Sequence, residues 1–354
     1  MKLSIIVPTK NESKNLEELF LKISKLKINK QDFEIIIADS KSNDGTLEIS
    51  KQLAKKHSLN LQSIQTGKTD LSGAVTLAIK KTRGENILVI DGDLQHPPEL
   101  IPKLFETLIE ENADIVIASR FVNGSKINFS KKRLFVSKVY RFMAHLFVPK
   151  CKNIKDPASG FFIFRKKIIT DVKLKPMGFK ILLEILAKAI YQKTIEIPFK
   201  FGDRKQGESK FNFKQTKIAF KHMLKLSKEC NEHKRFLKFC IVGLSGILVN
   251  EGFLWFLTEF AGIFYLLSSL IAIELSIISN FILNDIWTFK KERKGHVFKR
   301  FLKFNFTRVV ASIINFGLLW LLTSMGMNYL IANLIGVAIA TLITYLTSIW
   351  WVWK

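Results

Sequence analysis

The chain has 354 residues, enough for two domains, which its composition divides at about residue 235. Its 55 Lys and Arg against 30 Asp and Glu give a net charge of +25, a field that draws nucleic acid, anionic lipid headgroups or phosphorylated substrates. Only three cysteines are present, Cys151, Cys230 and Cys240, and their spacing excludes a disulfide framework or a cysteine metal site.

Residues 1–235 carry 45 of the basic and 25 of the acidic residues, a net +20. Met1-Lys2 runs directly into a strand-like Leu3–Pro8, so no cleavable leader is expected. Continuous apolar strands are expected at Ser4–Val7, Glu34–Ala38, Ile87–Ile90 and Ile115–Ala118. Helical stretches lie between them, one starting at Asn11-Glu12 and another at Asp44-Gly45-Thr46. Alternating strands and helices predict a mainly parallel sheet covered on both faces. Such sheets bind ligands beyond the C-terminal ends of their strands.

The polar residues follow that rule. Asp39 follows the second strand, Asp91 and Asp93 the third, and Ser119-Arg120 the fourth. Asp91-Gly92-Asp93 leads to Gln95, and such oxygen ligands suit a hard divalent cation bridging to phosphates. The spacing alone fits an ordinary acidic turn as well. Convergence of several strand ends on acidic and basic side chains favours a nucleotide-phosphate site.

Two segments, near 130–147 and 213–230, mix basic and bulky apolar residues at helical spacing. Each suits a helix at a membrane interface, and each could instead cover the domain's own core. His96, His145, His222 and His233 are scattered, without zinc-like spacing.

Residues 236–354 contain four apolar segments, about 236–258, 263–287, 303–325 and 328–352, each near the ~20 residues that cross a bilayer. Lys and Arg flank the first segment and fill the connection at 290–303, while the other two connections have none. The positive-inside rule places residues 1–235 on the cytoplasmic face of a multi-pass membrane protein. Arg235-Phe236-Leu237-Lys238-Phe239 recurs as Arg300-Phe301-Leu302-Lys303-Phe304, 65 residues on, so two tandem helix hairpins are expected. Asn250, Asn280, Asn284 and Asn315 read first as bonds between helices, with a translocation path for a lipid-linked sugar as the sharper alternative. Asp285 and Arg308 are expected to pair, while Glu251 and Glu274 have no evident basic partner. This half resembles the GtrA-like family, notably in Val249-Asn250 and Ser279–Phe289.

Pro8-Thr9-Lys10-Asn11-Glu12, Asp39, Asp91–Pro97 and Ser119-Arg120 resemble the family 2 glycosyltransferases of GT-A fold, a Rossmann-like α/β architecture. Asp156–Arg165, Gly178–Leu186 and Gly202–Lys210 look like the dolichol-phosphate mannosyltransferases. The resemblance implies transfer of mannose from GDP-mannose to a dolichyl or polyprenyl phosphate, with Mg2+ or Mn2+ as cofactor. It implies a donor pocket of Pro8, Thr9, Lys10, Glu12, Ile37, Asp39, Asp91, Gly92, Asp93 and Gln95, closed by Arg204 and Lys210. Asp91, Asp93 and Arg204 would be catalytic, Asp93 and Gln95 would hold the metal, and Arg120, Arg133 and Ser137 would bind the acceptor phosphate.

Lys10 departs from the aromatic residue that stacks on the base in close relatives, which leaves a UDP-sugar as the alternative donor. Two other classes compete: a lipid-linked-sugar translocator with a nucleotide-sensing domain, and a nucleic-acid binder. The acidic cluster and the lack of aromatic-rich basic motifs argue against nucleic acid. Oligomeric state is not legible.

Overall fold

The computed structural model of the chain describes residues 1–67, 70–202 and 213–353. These divide into two units, Met1–Cys230 and Asn231–Lys354.

In the first unit, β1 (Leu3–Thr9), β2 (Phe33–Asp39), β3 (Leu61–Gln65), β4 (Asn86–Val89), β5 (Ile115–Ser119), β6 (Phe162–Arg165) and β7 (Thr194–Pro198) form one sheet. Its order is β3-β2-β1-β4-β6-β5-β7. All strands run in one direction except β6, which pairs antiparallel with both β4 and β5. The expected mainly parallel α/β sheet is therefore present; β3 and β7 extend it at its edges, and β6 inserts between β4 and β5. Because β6 runs backwards, its start lies at the rim where the other strands end. That reversal brings the segment before Phe162 to the same rim as Thr9, Asp39 and Ile90.

Every residue of β1 and β2 is buried, as expected for strands covered on both faces. Alternate residues feed two cores: Ile6, Ile36 and Val89 on one face, and Ile5, Val7, Ile35 and Ile37 on the other. Helices α1 (Ser13–Ser24), α2 (Thr46–Lys56) and α4 (Ile101–Glu110) cover the second face. In α1, Leu16, Leu19, Phe20 and Ile23 form the buried stripe, a one-sided helical period. Helices α3 (Leu71–Ile79), α5 (Lys131–Phe147), α6 (Ile181–Lys188) and α7 (Phe213–Glu229) cover the first.

The segments near 130–147 and 213–230 are both helical, and each has two apolar faces. In α7, His222, Met223 and Leu226 are buried in the core, while Phe220 and Leu224 are exposed. In α5, Ala144 is buried, while Phe135, Val139 and Phe142 are exposed at helical spacing. Covering the core and presenting an outer apolar face are thus shared within one helix.

The second unit consists of α8 (Glu232–Glu259), α9 (Tyr265–Leu283), α10 (Val297–Ser324) and α11 (Tyr329–Thr347). With short continuations, all four are long and apolar enough to cross a membrane. Helices α8 and α10 start earlier than the hydropathy suggested, so Arg235, Lys238, Lys299, Arg300 and Lys303 lie on helices rather than in connections. The repeat is visible in the backbone: α9 and α11 both end in a widened helical turn, Asn284–Thr288 and Ser348–Val352.

Helix α8 packs on α9 and α10 on α11. Asn280 faces Gly246, where a Cβ would meet its Cγ at 2.7 Å, and Asn315 faces Gly336, where it would meet Cγ at 3.2 Å. Ser276 Oγ donates to the Gly246 carbonyl at 2.7 Å. The asparagines thus sit at close helix–helix approaches. Asp285 does not pair with Arg308. It accepts from Arg300 Nε at 3.0 Å and Trp353 Nε1 at 2.8 Å, while Arg308 lies over the Phe304 ring.

Candidate active site

The site is assembled at the C-terminal rim of the sheet. Thr9, the last residue of β1, donates from Oγ1 to Asp39 Oδ1 at 2.9 Å. Asp39 is fully buried and also accepts from the Ser42 amide at 2.8 Å and the Ser42 hydroxyl at 2.5 Å. Asn11, at φ 56°, donates from its amide to Ser42 Oγ and accepts from Asn43 N at 3.1 Å. Ser13 N and the Thr46 hydroxyl both donate to Asp44. Burial alone would raise the Asp44 pKa, but these bonds outweigh it and hold the carboxylate below its usual range. The loops after β1 and β2 are therefore one hydrogen-bonded ledge.

Lys10 is exposed on that ledge, whereas Pro8, Thr9 and Glu12 are buried. Glu12 accepts from Asn15 Nδ2 at 2.8 Å. Ile37 is fully buried among the second core's side chains, so its side chain belongs to the core and not to the rim.

The loop after β4 carries Asp91, Gly92, Asp93 and Gln95. Leu94 adopts φ 61°, an uncommon conformation for an aliphatic residue, and this turn brings the Gln95 amide to Asp93 Oδ1 at 3.2 Å. Gln95 Nε2 donates to the Gly202 carbonyl at 3.3 Å, and Gly202 N donates to the Gln95 carbonyl at 2.9 Å. The segment after β7 is thus pinned to the acidic loop. Asp91 is half-exposed, with a Cβ-less neighbour, Gly160, against its carboxylate. His96 Nδ1 lies 3.4 Å from Asp91, packed among Phe161, Phe199 and Phe201. Burial pushes the His96 pKa down to about 4, so the ring is neutral near pH 7 and draws no charge from Asp91.

Opposite this acidic loop stands a cationic group of side chains. Arg120 donates from Nε to Asp156 Oδ2 at 2.8 Å and from Nη2 to Oδ1 at 2.7 Å. Burial would raise the Asp156 pKa, but the Arg120 guanidinium holds it below the usual range. Arg133 lies 4.1 Å over the Phe129 ring, and both guanidiniums lie 5.6 Å from the centre of Phe201. Ser137 is one turn further along α5 from Arg133, half-buried. Lys180 Nζ donates to the Ala158 carbonyl at 2.9 Å. Burial, then the charge of Arg120, pushes its pKa down to about 7.

The structure therefore gathers Thr9, Lys10, Glu12, Asp39, Asp91, Gly92, Asp93, Gln95, Arg120 and Arg133 at one rim. Arg204 and Lys210 lie outside the described residues. Asp156, Gly160 and Lys180 lie within the family-like motifs, but the sequence alone assigns them no task. It had no signal that antiparallel β6 would carry the first two to the rim. No group of three His, Cys, Asp or Glu side chains poised around a cation occurs among the described residues.

Residues 4–172 match the family described as glycosyl transferase family 2, and residues 238–353 the GtrA/DPMS transmembrane domain. A dolichol-phosphate mannosyltransferase of Pyrococcus furiosus is 44% identical over 349 residues, 98% of each chain. The dolichol-phosphate mannosyltransferase of Saccharomyces cerevisiae is 33% identical, covering 60% of this chain and 81% of its own. Among solved structures, glucosyl-3-phosphoglycerate synthase of Mycobacterium tuberculosis aligns with a TM-score of 0.48 at 16% identity, covering 65% of this chain and 79% of that one.

Proposed function

The chain belongs to the dolichol-phosphate mannosyltransferases of glycosyltransferase family 2, with a GtrA/DPMS transmembrane domain, and from that premise we propose its reaction. Mannose passes from GDP-mannose to a dolichyl or polyprenyl phosphate with inversion, on the cytoplasmic face of the membrane. The observation that carries this reading is the gathering of two oppositely charged groups at one rim, near enough for Asp91 to act on Arg120 and Lys180. The half-exposed carboxylates of Asp91 and Asp93 stand on one side, and Arg120, Arg133 and Lys180 on the other.

The acidic side fits a metal–diphosphate. Gln95 Nε2 is committed to the Gly202 carbonyl, which leaves its amide oxygen as the end for a cation. With Asp93 that makes a small all-oxygen set, and Mg2+ or Mn2+ sites of this kind are completed by phosphate oxygens and water. When bound, the ion offsets negative charge developing on the departing diphosphate. Asp91 faces the donor sugar, and Gly160 and His96 fix its direction. The ledge of Thr9, Lys10, Glu12 and Asp39 takes the nucleoside, with Asp39 acting through the positions of Thr9 and Ser42. Arg204 and Lys210 are assigned to the diphosphate.

On the cationic side, Arg120, Arg133 and Ser137 hold the acceptor phosphate. Its second ionisation falls near pH ~6 by analogy with protein phosphomonoesters, so much of it is already nucleophilic at pH 7. A phosphate oxygen bonds to the anomeric carbon as the bond to the diphosphate breaks, and the electron pair leaves with GDP. An α-linked donor gives a β-linked product. Aligning two anions then matters more than a strong base.

The basic first unit and the Lys and Arg at one end of the spans favour the cytoplasmic side. The exposed Phe135, Val139 and Phe142 of α5 and Phe220 and Leu224 of α7 are suited to rest on the lipid surface. Lys10 offers no ring for a base, so guanine preference is the point to test. Purified protein with a polyprenyl phosphate is assayed against a panel of nucleotide sugars, with Mg2+, Mn2+ or chelator. Release of GDP from GDP-mannose, requiring both metal and acceptor, is expected. A clear preference for a UDP-sugar would replace the donor assignment.

A further inference from the structure

Lys180 has no task in the reaction as set out above, yet its surroundings are built with care. Gly178 adopts φ 81°, a turn that favours glycine. Asp70, the N-terminal cap of α3, accepts from the Gly178 amide, and Ser72 N donates to the Gly178 carbonyl at 3.1 Å. That clamp delivers Lys180 to the start of α6, a helix whose first seven residues are all buried. Nζ then lies 2.9 Å from the Ala158 carbonyl and 4.5 Å from the centre of the Phe179 ring.

The charge around it is unequal. Both oxygens of Asp156 are engaged by Arg120, so that carboxylate answers one guanidinium. Asp91 belongs to the donor side. Burial, with the positive charges of Arg120 and Arg133, outweighs the pull of Asp156 and Asp91 and lowers the Lys180 pKa. An ammonium has three donors, and one is used on Ala158. Keeping a mostly buried cation whose hydrogen-bond partner among the described residues is one carbonyl is costly unless a ligand brings negative charge.

We propose that Lys180 is a third cationic ligand of the acceptor phosphate, reaching it from the start of α6 beside Arg120 and Arg133. The proposal rests on the acceptor reading given above. Its chemistry is that of a phosphomonoester dianion: a point charge with two spare donors complements two planar guanidiniums. The competing role is a tie that holds the Asp156–Gly160 segment through Ala158.

The test uses the full chain in detergent with farnesyl phosphate and no donor, read by phosphorus-31 NMR. Wild type should bind the phosphate and lower its second ionisation relative to free ligand. Lys180→Met should weaken binding at least about tenfold and return the ionisation towards the free value. Lys180→Arg should retain most of both. Lys180→Gln can still donate to Ala158 but lacks the charge, and it should behave like Lys180→Met. GDP binding with Mn2+, measured by calorimetry, should be unchanged in all three, which also reports a folded site. Wild-type affinity and ionisation in Lys180→Gln would overturn the proposal and leave the acceptor reading standing. Failure of the wild type to bind farnesyl phosphate would overturn both.

Discussion

A Cβ placed on Gly160 would stand 2.9 Å from Asp91 Cγ, so the direction of the Asp91 carboxylate depends on the missing side chain of a residue 69 positions away. Gly160 has no positive φ, and its constraint is therefore space and not backbone freedom. Gly160→Ala should push the carboxylate aside while leaving the fold intact. A shift of ~1 Å at a reacting group can cost about 100-fold in rate, so a fall in kcat of ten- to a hundredfold is expected. Steady-state kinetics beside a melting curve checks this. A large loss of Tm with little change in the residual kcat would make Gly160 a folding residue instead.

Asp93 and Gln95 should separate under metal titration. Asp93→Ala removes a charged oxygen and should nearly abolish turnover at any Mg2+ or Mn2+ concentration. Gln95→Ala removes a neutral ligand and also the tie to Gly202. It should keep activity but require about tenfold more metal. Chelator should silence the wild type, with recovery on adding metal back. Wild-type activity in Asp93→Ala would remove the metal assignment.

The acidic side of this site was legible in sequence because its signals are local. A continuous apolar run ending in Asp91-Gly92-Asp93 states both the strand and the position of its polar end. The cationic side was less legible. Arg120 could be named, but its carboxylate partner lies 36 residues on and reaches it through antiparallel β6. Strand β3, Leu61–Gln65, escaped notice because it is a half-buried edge with polar residues. Strand β7, Thr194–Pro198, escaped for the same reason. The nearness of Gly160 to Asp91 has no sequence signature beyond the motif itself.

Glu184 makes the first unit sensitive to acid. The carboxylate is fully buried and accepts from Lys175 N at 2.8 Å, Lys188 Nζ at 2.5 Å and His222 Nε2 at 2.6 Å. Burial would raise its pKa, but the bonds from His222 and Lys188 bring it down from 4.5 to about 2. A depressed pKa stabilises the folded state above pH 4.5, and the contribution is lost as pH falls from there towards 2. The full contribution is about 3 kcal/mol. Glu184→Gln should therefore be less stable at pH 7, with the gap to wild type closing as pH falls from 4.5 towards 2. Because His222 lies on α7, hydrogen exchange in α7 should rise first. Parallel stability curves for the two proteins across that range would contradict the assignment.

In the membrane unit the two copies of the repeated Arg-Phe-Leu-Lys-Phe segment do the same job. Arg235 Nη1 donates to Glu292 Oε1 at 2.7 Å, and Arg300 pairs through two nitrogens with Asp285, so both arginines hold acids of the segment between α9 and α10. The sequence pointed instead to Arg308 as the partner of Asp285. Arg308 lies eight residues deeper along α10, about 12 Å at the helical rise, whereas the connection folds back and sets Arg300 beside the acid. Trp353 completes the arrangement, donating to Asp285 while stacking on Phe289 at 4.4 Å. Arg293, more exposed, lies 3.7 Å from Asp285 and offsets part of its charge, so breaking the buried Arg300 pair should cost less than the about 3–5 kcal/mol of a fully stranded charge. Arg300→Leu should still lower the melting temperature in detergent. Arg300→Leu combined with Asp285→Asn should recover part of the loss, because no charge is stranded. If the double variant is instead as unstable as the sum of its single substitutions, Arg300 acts through packing, and the ion pair is not what holds the hairpins' shared connection.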